Sequence, residues 1–266
     1  MNDPPPSVVR WADGRTAQDA NGFVTGLLVR ELRLAGHRAP AGWLDALGRC
    51  ARPDGSFGFW PEGGRPAWAP ELPPDSDDTA VLLTELHLAG RLDRTRTRRV
   101  ACRTLGNRRL RRVLDPGPPW IRVGTFTTWH RGRDAGVVDL TAVANVLALL
   151  RVTGLQAVPG FEESRASVLA GARWAGSSRA RWESLSPFYP EPDELRRALV
   201  NAARCGVEGL AGAVAAVARA CPRRDPDVVC SRAYGPPTWH SPALAALRRD
   251  GPVAGAATGR GTTAGP

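Results

Sequence analysis

PPDSDDTAVLLTELHLAG, residues 73–90, sets three carboxyl groups, Asp75, Asp77 and Asp78, directly ahead of an apolar run. Val81, Leu82, Leu86 and Leu88 recur at helical spacing, and Gly90 is a common helix terminator. The stretch therefore predicts a buried helix that starts among acids and stops at glycine. A helix start needs one capping side chain, worth ~0.5–2 kcal/mol. Its free N–H groups and dipole also favour an acid in the first turn. Asp75 as cap and Asp78 as third helical residue satisfy both demands, which leaves a surplus carboxyl. Three acids in one buried place cannot all ionise, so at least one keeps its proton. These residues alone fit an ornate helix cap and a catalytic acid equally well.

The same apolar beat continues on both sides. GFVTGLLVRELRLAG (22–36), AGWLDALGRC (41–50), VVDLTAVANVLALLRVTG (137–154), ESRASVLAGARWAG (163–176) and VEGLAGAVAAVARAC (207–221) all read as helices. TRTRRVACRTLGNRRLRRVL (95–114) reads as one or two short helices broken near Gly106. DELRRALVNAARCG (193–206) opens with Asp193 as a candidate cap, and YGPPTWHSPALAALRRD (234–250) reads as loop, then helix. Proline, glycine and aromatic residues mark loops at 63–74, 115–136 and 186–192, with a short extended piece expected at WIRVGTF. Almost nothing else reads as strand. The expectation is an all-α fold of helix pairs, stacked in series or closed into a ring. Residues 1–15 read as an arm, 16–250 as one domain, and 251–266 as a disordered low-complexity tail.

Composition narrows the function classes. A chain of 266 residues with 42% hydrophobic content can bury a large core. No apolar run approaches the ~20 residues that span a bilayer, and the N-terminus carries no basic-then-apolar leader. Cytoplasm is the expected compartment, with a peripheral membrane contact as a possible addition. Net charge is +10, and every basic residue is arginine. Such a surface attracts phosphates and headgroups. Nucleic acid is not expected, because the arginine-dense stretch 91–114 has no interleaved aromatics. The cysteines, Cys50, Cys102, Cys205, Cys221 and Cys230, show no CxxC spacing and read as scattered core thiols.

DSDDTA, residues 75–80, resembles the DxDDTA signature of class II terpene cyclases, the superfamily of squalene–hopene and diterpene diphosphate cyclases. RPDGSFGFW (52–60) resembles the ending of that superfamily's QxxxGxW repeat, with Ala51 in place of Gln and Phe57 in place of Trp. The likeness is best over residues 22–90, thins across 125–155 and fades beyond. It implies an α/α toroid, here a single ring that need not be complete. It also implies proton-initiated cyclisation of a linear isoprenoid, with Asp77 as the acid and Asp75 and Asp78 as its supports. It implies no metal or redox cofactor; Mg2+ would matter only for a diphosphate substrate. DSDD lacks the spacing of the magnesium-binding DDxxD motif, and no zinc-binding Asp, Cys and His set is visible.

Protonating an alkene requires a strong acid in a dry pocket, and aromatic faces then stabilise the cation. Trp60, Trp129, His130 and Asn145 are the substrate-binding candidates. Trp68, Trp120, Phe126 and Trp239 also lie in or beside inter-helix loops, and for each the alternative is core packing. His130 fits either the surface or a hydrogen bond to the acids. Asn145 fits either a cavity lining or a bond to a neighbouring loop. Asp139 reads as the cap of its helix. The alternative function is a non-catalytic fold that binds a lipid or a protein partner.

Overall fold

The computed structural model describes residues 3–69, 71–113, 117–129, 136–233 and 235–250. His130 and the tail 251–266 lie outside them. The order of elements is β1 (Ser7–Arg10), β2 (Thr16–Asp19), α1 (Gly22–Leu34), α2 (Ala41–Gly48), α3 (Ser76–Leu88), α4 (Arg94–Leu105) and α5 (Leu140–Val152). Then follow α6 (Phe161–Ala175), α7 (Arg179–Ser184), α8 (Asp193–Arg204), α9 (Ala211–Ala220), β3 (Val228–Arg232), β4 (Gly235–His240) and α10 (Pro242–Asp250).

The all-α toroid expectation is wrong. The fold is mixed α/β, with a four-stranded antiparallel sheet in the order β2-β1-β4-β3. The sheet joins the two ends of the chain: Val8, Val9 and Arg10 pair with His240, Trp239 and Thr238. The strands are four to six residues long. That is too short for alternation to stand out, and their partners are remote in sequence. Pro236 and Pro237 also argued against a strand. They are tolerated because the register shifts there: Ser231 faces Thr238 while Arg232 faces Gly235, so neither proline owes the ladder an N–H.

The helices form two layers. Buried helices α1, α3, α5 and α8 pack side by side, and α10 returns against α1. Outside them, α2 covers α1 and α3, α4 covers α3, α6 covers α5, and α9 covers α8 and α6. Helix α3 is buried from Ser76 to Leu86 and α5 from Leu140 to Leu150, so both are enclosed on all sides. Close approach of α1 to its neighbours requires a missing Cβ at Gly22, where one would stand 2.3 Å from Cys50 Sγ. Asp193 does not cap α8. It is the first helical residue, after Pro192, and its carboxylate pairs with Arg196, Arg197 and Arg223.

Charged groups lock the inner layer. Glu85 of α3 receives Arg33 of α1 at 2.8 Å. Arg248 of α10 reaches Glu31 of α1 at 3.1 Å and Glu194 of α8 at 2.6 Å. Glu31, Glu85, Glu194 and Arg248 are all buried, so each requires its partner.

Candidate functional site

The three acids sit at the start of α3. Asp75 has extended backbone, caps the helix, and accepts the Asp78 N–H at 2.6 Å. Segment 125–129 is clamped beside it: Ser76 N–H donates to Thr128 O at 2.8 Å, and Ser76 Oγ–H to Thr127 O at 2.7 Å. The aromatic turn 51–60 is held alongside by Phe57 N–H on Thr79 Oγ1 at 3.1 Å. These contacts turn Asp75, Asp77 and Asp78 inward, where each is under a tenth exposed.

All three line a cavity of about 490 Å3, within the range of small-molecule sites. Its aromatic wall residues are Phe23, Phe59, Trp129, Phe188, Tyr189 and Trp239. Glu71, Leu72 and Pro73 approach from the loop before α3, and Cys230 to Ala233 from the end of β3. A second hollow of about 750 Å3 shares Phe59, Glu71, Leu72 and Pro73 but contains none of the three acids. The smaller cavity is the candidate site, because it holds the three buried acids of α3.

Asp77 holds the best-supported carboxyl of the three. Asn145 of α5 donates its amide to Oδ1 at 2.7 Å, and the Tyr189 hydroxyl donates to Oδ2. Burial raises its pKa, while Tyr189, Asn145 and the charge of Arg30 pull it back. Asp75 is pushed well up, first by burial and then by the Asp77 charge. Asp78 is pushed well up by burial and then by Asp75 and Asp77. Among the described residues no donor reaches the Asp78 carboxyl. Burial thus opposes ionisation of all three, and only at Asp77 do neighbouring donors and the charge of Arg30 offset it without an opposing carboxylate among the causes.

A fourth acid stands behind them. Asp139 caps α5, accepting Thr141 N–H at 2.8 Å and Ala142 N–H at 3.3 Å on Oδ1. Its Oδ2 accepts Phe188 N–H at 3.2 Å. Burial, then the Asp77 charge, lift its pKa to about 7. The same contacts place Tyr189, since its neighbour Phe188 is tethered on one side to Asp139 and on the other to Ser231 N–H at 2.9 Å.

The structure thus brings together Asp75, Asp77, Asp78, Asn145 and Trp129. Asn145 lies beneath Asp77 rather than in the cavity wall, and its buried Oδ1 has no partner among the described residues. Trp129 lines the cavity, and among the described residues its Nε1–H has no partner. Trp60 lines only the second hollow and donates to Asp19. Trp239 is a wall residue, whereas Trp120 and Phe126 are core and Trp68 packs on Trp11 at 5.0 Å. Sequence reading missed Tyr189, Phe23, Phe188 and the second role of Asp139. A tyrosine flanked by prolines in SPFYPEP was the only signal for Tyr189. Among the described residues no group of three or more His, Cys, Asp or Glu stands close enough to hold a metal ion, and no described helix is long and apolar enough to cross a membrane.

No family model, no curated protein and no solved structure matches the chain.

Proposed function

We propose that this site is an acid that protonates a carbon–carbon double bond of a linear isoprenoid and starts a cyclisation. Asp77 is the donor. Its O–H bond breaks as a C–H bond forms, a carbocation results, and a later proton loss returns the product as an isomer of the substrate. One observation carries the reading: a carboxyl kept loaded by burial faces an aromatic cavity, yet its anion already has two hydrogen-bond donors waiting. Donors that favour the charge left behind lower the barrier to releasing it. The ring faces of the wall suit the cation, each by ~0.5–2 kcal/mol. The likeness of DSDDTA to class II terpene cyclases agrees with this chemistry, although the fold is not the expected ring of helices.

The test is turnover in D2O. Squalene and farnesyl and geranylgeranyl diphosphates are offered, and products are analysed by mass spectrometry. The expected product is cyclic and carries solvent deuterium, and Asp77→Asn lowers its formation by ~100-fold or more. Wild-type turnover retained in Asp77→Asn excludes Asp77 as the acid. Binding without turnover, unchanged by that substitution, favours a lipid-binding role instead.

A further inference from the structure

Asp19 ends strand β2, is 1% exposed and lines neither hollow. Its carboxylate nevertheless gathers three N–H donors from distant parts of the chain. The Trp60 indole donates to Oδ1 at 2.8 Å. The Trp239 indole and the Asn21 amide donate to Oδ2 at 2.7 and 2.9 Å. An indole N–H can only donate, and a bond to a carboxylate is stronger than one to a neutral acceptor. Both rings are therefore held in one orientation.

That orientation propagates inward. Phe59 packs against Trp60 with centroids 4.7 Å apart at 67° and against Trp239 at 5.3 Å and 66°. Phe23 stacks on Phe59 at 5.8 Å and stands 6.4 Å from Tyr189, the partner of Asp77. Phe23, Phe59, Tyr189 and Trp239 all line the acid cavity. A run of rings thus begins at one carboxylate and ends at the hydroxyl on another. A bound anion also enriches the indole electron density, which strengthens the attraction of a ring face for positive charge.

We propose that Asp19 is a positioning residue: by gripping Trp239 directly, and Phe59 through both indoles, it sets a cavity wall that prefers a positively charged apolar ligand over a neutral one of the same shape. The inference rests on the reading that a cation forms in this cavity.

The test uses two probes of equal shape, (6-hydroxyhexyl)trimethylammonium and 7,7-dimethyloctan-1-ol, with binding followed by tryptophan fluorescence. Wild type is expected to prefer the ammonium. Asp19→Asn is expected to cut that preference roughly three- to tenfold while leaving affinity for the alcohol unchanged. A preference that survives in Asp19→Asn overturns this inference alone, and so does equal weakening of both probes, which marks a merely structural role. Equal binding of the two probes by wild type overturns the cation reading and this inference with it. If Asp19→Asn does not fold, Trp239→Phe serves instead. It keeps a ring but offers no N–H to hold, and an unchanged preference there overturns the proposal.

Discussion

Replacing Asp139 by asparagine should change how stability depends on pH more than it changes stability itself. Burial first, and the Asp77 charge second, lift the Asp139 carboxyl from an ordinary value of 3.8 to about 7. At about 1.4 kcal/mol per tenfold change in proton affinity, ionising it in the fold costs about 4 kcal/mol more than in the unfolded chain. The folded value is raised, so the native state binds the proton more tightly than the unfolded one. The stabilising contribution is full below about pH 4 and is lost as pH rises through about 7. Asparagine cannot ionise and escapes that loss. It retains an oxygen for Thr141 and Ala142 N–H, but turns an NH2 toward the Phe188 N–H that Oδ2 now accepts. That mismatch costs ~1–3 kcal/mol at every pH. The two stability curves should therefore cross: the variant is weaker at pH 4.5 and stronger at pH 8. Urea unfolding across that range measures both. A difference between the proteins that does not vary with pH refutes the argument, because it means that Asp139 ionises in the fold as easily as in water. In an Asp77→Asn background the Asp139 window should move to lower pH, since one of its causes is gone.

Tyr189→Phe removes a hydrogen bond to a carboxylate, an interaction worth ~1.5–3 kcal/mol. Turnover should fall roughly 10- to 100-fold, and the pH at which activity is lost should rise, because Asp77 then keeps its proton longer. A pH–rate profile identical to wild type sinks the assignment of Asp77 as the titrating acid. Arg248→Ala takes away the cation that Glu31 and Glu194 share, leaving them Arg197 at 3.4 Å and Arg223 at 3.1 Å, and should cost ~1.5–3 kcal/mol in urea unfolding. Arg248→Met, which fills the space without a charge, should recover only the packing part of that loss, since Glu31 and Glu194 then depend, among the described residues, on Arg197 and Arg223 alone.

The helices were readable because their signals are local. Thirteen-residue apolar stretches such as α3 and α5 carry several turns of periodicity, a capping acid and a terminal glycine. The sheet carries no comparable local signal. β1 pairs with β4 across most of the chain, with Val9 opposite Trp239, so neither strand has its partner nearby in sequence. An arm that looks aperiodic alone is a paired strand when its partner arrives. The same limit applies to the site. The acids announced themselves because they are adjacent in sequence, whereas Tyr189 lies 112 residues from Asp77 and contributes one hydroxyl.

The Asp75 cap and the buried Asp77 carboxyl are parts of one arrangement. Asp75 spends one oxygen on the Asp78 N–H, and that turn of backbone is what directs Asp77 toward Asn145 and Tyr189. For the trio to keep protons, strong cations must be kept off it. Arg52, whose charge acts on Asp78, donates to Cys50 O and Trp60 O. Arg30, whose charge acts on Asp77, faces Glu85 at 3.5 Å. Among the described residues no arginine pairs directly with Asp75, Asp77 or Asp78. In a chain whose net charge is +10, a direct guanidinium contact would have drawn the protons off and left a carboxylate with nothing to donate. Arg232 lines the cavity itself, but among the described residues it pairs with none of the three acids, while Arg52 and Arg30 are held on carbonyls and on Glu85.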